Sequence, residues 1–137
     1  MTSTVQALMP AHAIIAGTHS GVVSASDLRN AARETFALCQ EHDVWRVLTD
    51  CHDVTQAPGA IDLLNLLEAM GKAGVDQEFR QALVWPTDMQ ARLAFDVWKT
   101  GEQNRGYHAQ AFTDRDAAIA WLESDDPGSS SRGRSAV

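Results

Sequence analysis

The stretch Asn104–Leu122, NRGYHAQAFTDRDAAIAWL, constrains the fold of this chain more than any other, because an extended apolar pattern runs directly into a helix with its own start signal. Tyr107, Ala109, Ala111 and Phe112 supply the strand, and Thr113 with Asp116 three residues on has the spacing of a capping box. The helix that follows turns Ala117, Ala118, Trp121 and Leu122 to one side. A strand passing so directly into a helix is the repeating unit of an α/β sheet.

The rest of the chain reads in the same units. Val5–Met9 and Ala13–Gly17, separated by Pro10, Ala11 and His12, suit a hairpin. Ser24 with Asp27 forms another capping-box pattern, and Leu28, Ala32, Phe36 and Cys39 recur at helical spacing as far as Glu41. Trp45–Thr49 reads as a short buried strand that stops at Asp50, Cys51, His52 and Asp53. Pro58 and Gly59 introduce a helix over Ala60–Gly71, Ala82–Trp85 is a further strand, and a third helix spans Thr87–Glu102. The order β-β-α-β-α-β-α-β-α predicts one α/β domain over residues 1–123, with about five strands, mostly parallel, an N-terminal antiparallel hairpin and four helices. Residues 124–137 lose apolar periodicity and are expected to be a disordered tail.

Composition narrows the partners. With 45% apolar residues in 137 there is material for one core, and a formal charge of −7 repels a phosphate backbone, so nucleic acid is not expected. No segment approaches the ~20 apolar residues of a bilayer span, and the N-terminus lacks the basic region of a signal peptide. A cytoplasmic protein is expected, with Cys39 and Cys51 as free core thiols.

Several side chains could carry chemistry. Asp50, His52 and Asp53 stand where a strand is expected to end, the position at which open α/β sheets collect ligands. A phosphoacceptor role for Asp50 would require an acidic pair after the first strand and a lysine after the last, and neither is present. Cys39, His42, Cys51 and His52 match no common zinc spacing, His12, His19 and His108 are scattered, and Ser20 before Gly21 lacks a nucleophile elbow. Gly71 and Gly74 fit a helix end better than a phosphate loop. No cofactor or metal is assigned, and the chain is expected not to be an enzyme; a proton-transfer enzyme using Asp50, His52 and Asp53 is kept as the weakest of three readings.

The third helix has two apolar faces, Met89, Leu93 and Val97 on one and Ala91, Ala94, Phe95 and Trp98 on the other, so it requires two neighbours. The second helix, with Leu63, Leu64, Leu66, Leu67 and Met70, is more apolar than one inward stripe needs. Arg105 is expected to pair with Glu102 at the surface.

The order of elements, Arg80–Val84 as an R-x-A-L-V strand, Val47–Asp50 and the F-T-D-x-x-x-A-x-x-W-L ending resemble the SpoIIAA-like branch of STAS-type domains over about residues 5–123. Relatives of that kind are bacterial anti-sigma-factor antagonists, which dock a partner near a phosphorylatable serine at the start of a helix. Here the corresponding segment, Asp53–Gly59, holds only Thr55 as a hydroxyl, which makes Thr55 the candidate phosphosite. The resemblance implies docking near Thr55 and the start of the second helix; together with the missing catalytic set and the surplus apolar surface of the second and third helices it gives a regulatory protein-interaction module, expected as a homodimer, with Thr55, Gly59, Leu63, Leu67, Phe95 and Trp98 as its partner-binding residues. The alternative is a carrier in which Phe95 and Trp98 line a cavity for a lipid or other small apolar molecule, a role suggested by the topological likeness of SpoIIAA-like domains to the lipid-binding CRAL-TRIO fold.

Overall fold

Alternation of side chains along the strands sorts this molecule into two layers of core on either side of one sheet. The computed structural model describes residues 3–75 and 78–124, so the expected tail from Asp125 onward lies outside the described residues. The elements are β1 (Ser3–Met9), β2 (Ile14–Val22), α1 (Ala25–His42), β3 (Arg46–Gln56), α2 (Ala60–Lys72), β4 (Arg80–Val84), α3 (Met89–Asn104), β5 (His108–Phe112) and α4 (Arg115–Glu123). The sheet order is β1-β2-β3-β4-β5; β1 runs antiparallel to β2, and β2 to β5 are mutually parallel.

Because the four parallel strands are laid down in sequence order, crossovers of one hand bring every connecting helix to the same face. Ile15, Val47 and Leu83 therefore meet Leu28 of α1, Leu63 and Leu67 of α2 and Phe95 of α3. The intervening residues Ile14, Leu48, Ala82 and Val84 point the other way, onto Ala118 and Leu122 of α4. Burying each such Leu or Ile is worth roughly 1.5–3 kcal/mol. Phe79 joins the two ends of the thicker layer, edge-on to Phe36 at 5.7 Å and to Tyr107 at 5.9 Å.

Local signals fix the helix starts. Ser24 and Asp27 make the capping box that the sequence indicates, each side chain accepting from the other's backbone N–H. The start of α4 differs from expectation: Asp114, not Thr113, is the N-cap, and its carboxylate accepts from Asp116 N at 3.2 Å. The start of α3 also moves, from Thr87 to Met89, because the Asp88 carboxylate caps Ala91 N at 2.9 Å. The larger correction concerns β3, which continues seven residues beyond Thr49 to Gln56. Cys51 and Val54 are buried there, and beyond a bulge at Cys51 and His52 the pairing with β2 resumes at Asp53 and Val54, so the acidic cluster belongs to a strand and not to the loop after it.

Helices α2 and α3 approach closely because position 101 is glycine; a Cβ there would collide with Leu67 Cδ1. Glu102 follows, and the expected surface pair with Arg105 is not formed: the Glu102 carboxyl is fully buried, while Arg105 Nη1 donates to Gly101 O at 3.2 Å. Neither Glu102 oxygen has a hydrogen-bond partner among the described residues, the Trp98 N–H being spent on Gln81 Oε1. Burial pushes this carboxyl well above the usual carboxylate range, and the Trp98 indole opposes that more weakly.

Two measurements check this packing. In urea unfolding, Leu67→Ala should cost about 2–5 kcal/mol, whereas Leu64→Ala, on the outer side of the same helix, should stay within about 0.5 kcal/mol. For Glu102 the folded state holds the proton more tightly than the unfolded state. Its contribution is therefore complete below the unfolded pKa of 4.5 and is lost as pH rises toward the raised folded value. Urea midpoints measured from pH 4 to 8 should show this decline in the wild type and a flatter profile in Glu102→Gln.

Candidate functional site

Every parallel strand points its C-terminal end the same way, so the connections into α1, α2, α3 and α4 gather at one end of the sheet. The acidic cluster lies along β3 near that end. Asp50 and His52 occupy the positions that face the α4 side, and Asp50 is tied there: its carboxylate accepts from Arg115 Nη1 at 3.1 Å and from His52 N at 3.1 Å. His52 Nδ1 lies 3.0 Å from Asp53 Oδ1 in a pair that is more than half exposed on both sides. The three groups thus have partners of their own, with His52 and Asp53 at an open surface and Asp50 half-buried. Thr55 is exposed in the last residues of β3, and Gly59 is the N-cap of α2, exposed and without a side-chain cap.

The remaining partner-binding candidates are not at the surface. Leu63, Leu67, Phe95 and Trp98 are each at most 9% exposed and belong to the core under the helices. An interface through Phe95 and Trp98 is therefore corrected to an interior position. The physical reason is plain at Trp98, whose indole N–H donates to Gln81 Oε1 at 2.8 Å while Gln81 Nε2 donates to Thr49 Oγ1 at 2.7 Å, a buried row that anchors α3 to β4 and β3. Phe95 and Trp98 do line a cavity between helices and sheet.

What the expected partner-binding set left out is the opposite face of the same helices. Ile61, Met89 and Leu93 are between 61 and 75% exposed, and Leu64 and Val22 are exposed as well. These are the large exposed hydrophobics among the described residues. Ile61 and Leu64 lie in the first turns of α2, Met89 and Leu93 in the first turns of α3, and Val22 ends β2, so all five stand at the C-terminal end of the parallel strands. The signal for them was the second apolar face of the third helix and the surplus leucines of the second.

Cys39 and Cys51 are both buried free thiols. Burial pushes the Cys39 thiol up to about 12 and raises Cys51 further, the Asp50 charge adding to the effect at Cys51. His42 sits beside Glu41 on α1, 3.5 Å away, and among the described residues no group of three His, Cys, Asp or Glu side chains is placed to hold a metal ion. No helix among the described residues is long and apolar enough to cross a membrane.

No protein-family model matches the sequence, and no curated protein matches it. Among solved structures, the chain is similar to an uncharacterized DUF3478-family protein from Shewanella loihica PV-4, described as having a SpoIIAA-like fold. The two are 17% identical, the match covers 89% of this chain and 95% of the other, and the TM-score is 0.56. The chain therefore has a SpoIIAA-like fold, and at this identity the likeness extends to fold alone.

The thiol environment gives a direct test. Neither cysteine of the native protein should react with DTNB at pH 8 over an hour, and both should react at once in denaturant; one fast equivalent in the native state would show a thiol that the fold leaves open.

Proposed function

We propose that this chain is a non-enzymatic regulatory module that binds a protein partner through the C-terminal end of its parallel strands. The observation that carries the reading is the gathering of Val22, Ile61, Leu64, Met89 and Leu93 at that one end while the core is filled by other residues. Scattered apolar exposure is ordinary, but four large side chains on the leading turns of adjacent helices, with Val22 at the end of β2, form a surface that water leaves readily.

Charge selects the kind of partner. Asp53, Asp62, Glu68 and Asp96 are exposed along β3, α2 and α3. The cations of α3 are engaged, Arg92 donating to Pro86 O and lying over Trp85, Lys99 lying over the same ring and pairing with Asp96 at 3.3 Å, while Arg29 of α1 is exposed beside Asp62. In a chain of net charge −7 this favours a partner that presents an apolar helix face flanked by Lys or Arg, and disfavours a second copy of the chain. The tied Asp50 and the exposed His52–Asp53 pair support a non-catalytic reading, because neither is paired with an enclosed substrate pocket.

A helical peptide with Leu at i, i+3, i+4 and i+7 and Lys elsewhere serves as the probe, titrated by fluorescence anisotropy at physiological salt. It should bind saturably, and the double variant Ile61→Glu/Leu93→Glu, with unchanged Tm, should bind at least about tenfold more weakly. Absence of saturable binding, or equal binding by the variant, would overturn the proposal. Sedimentation of the protein alone that shows a dimer lost in the same variant would replace the foreign partner with a second copy.

A further inference from the structure

We infer that the N-terminal end of the parallel strands carries a binding site for a small molecule that joins one phosphate or carboxylate group to a flat apolar body. This end of the sheet lies opposite the proposed docking surface, and the two sites are independent. The site is built on a row of side chains set by strand register: Arg46 of β3 stands beside Arg80 of β4, and Arg80 beside His108 of β5. Two residues farther along, Leu48 and Ala82 point to the α4 side, so the alternation of the strands sends the basic row to that side as well.

Helix termination accounts for one member of the row. Arg80 Nη1 donates to Ser124 O at 2.8 Å, which satisfies a carbonyl at the C-terminal end of α4. The side chains of Arg46 and His108 are half-buried, yet they make no hydrogen bond or ion pair among the described residues. Adjacent strands lie about 4.8 Å apart, so the two guanidiniums repel each other across the sheet, and no ion pair offsets this at Arg46. Guanidiniums at that spacing can converge on a single phosphate or carboxylate, which planar, charge-assisted donors hold well.

The row lines an open cavity of ≈ 470 Å³, with Ala13, Val44 and Trp45 among its other walls. Small-molecule sites span roughly 300–1,000 Å³. Two carboxylates, Asp43 and Glu78, line the same cavity, and both residues are exposed. Water and salt screen exposed charges more than half-buried ones, so the basic row sets the sign of the cavity. Trp45, half-buried, supplies the apolar wall against which a flat body can lie. The net charge of −7 repels a polyanion and leaves a single anionic group as the charge that suits this local row.

The test titrates phenyl phosphate into the full-length protein, followed by calorimetry and by the arginine Nε–Hε and His108 ring resonances. Phenyl phosphate should bind saturably and more tightly than inorganic phosphate, and it should shift the resonances of Arg46, Arg80 and His108, which phenol should leave unmoved. Arg46→Gln, with unchanged Tm, should weaken binding at least about tenfold, and added salt should weaken binding to the wild type. Failure to saturate at millimolar concentration would overturn the inference, as would equal binding of phenol, or equal affinity in Arg46→Gln. Equal affinities of phenyl phosphate and inorganic phosphate would overturn the apolar body. Two carboxylates of the chain itself, Asp125 and Asp126, follow Ser124 and are the competing source of the same chemistry. Asp125→Asn/Asp126→Asn should leave the affinity unchanged, and a large rise would overturn a separate ligand by showing that the chain's own carboxylates occupy the row. Reading the wild-type resonances keeps the test decisive even if Arg46→Gln unfolds the protein.

Discussion

The order in which parallel strands are added governs this molecule. With β2 to β5 laid side by side in sequence, each crossover of the favoured hand deposits its helix on the same face, and only α4, which has no later strand to reach, is left to cover the other. The thick side must therefore pack three helices across a twisted sheet of limited width. The helices do not share the space evenly. Gly101 lets α3 press against Leu67 of α2, and α2 packs much more extensively on α3 than on α1. The seam between α1 and α2 is the loose one, and Leu28 and Leu66, one on each helix, line both the inner cavity and its neighbour.

The same arrangement decides what faces outward. A helix in the middle of such a layer meets the sheet below and a neighbour on each side, so three of its sides want apolar residues. That is why α2 carries Leu63, Leu67 and Met70 downward and Leu66 toward the seam. Ile61 and Leu64 exceed even this requirement, as do Met89 and Leu93 on α3, and an excess confined to the leading turns of two adjacent helices has no explanation in the packing of the domain.

Much of this was legible in the sequence, and the parts that were not share a cause. The capping box Ser24/Asp27, the strand Arg80–Val84 and the span of α2 are local patterns, set within a few residues, and they read correctly to within a residue or two. The two faces of α3 were also visible in the 3.6-residue period. Which face is inside was not, because periodicity separates faces without saying what each one meets. Trp98 is interior because Gln81, on a strand seventeen positions earlier, receives its N–H. The continuation of β3 was hidden in a similar way. Asp50, His52, Asp53 and Thr55 look like a loop until Cys51 and Val54 are seen to share a face with Val47. His19 looked like one of several scattered histidines because the bulge opposite it involves a strand more than thirty residues away.

Polar groups on the thick side show how differently the same layer treats its buried atoms. Trp98, Gln81 and Thr49 satisfy one another in a closed row, and such a row fixes the position of α3 against two strands at once. Glu102, one turn farther along α3, is left to protonation, since burial removes its charge rather than supplying a partner. His19 has neither solution: burial lowers the pKa of its ring, and its Nδ1 is sealed in without a hydrogen-bond partner among the described residues. The sparse contacts between α1 and α2 leave that seam freer to shift than the tight α2–α3 pair, which the anchoring row holds to the sheet.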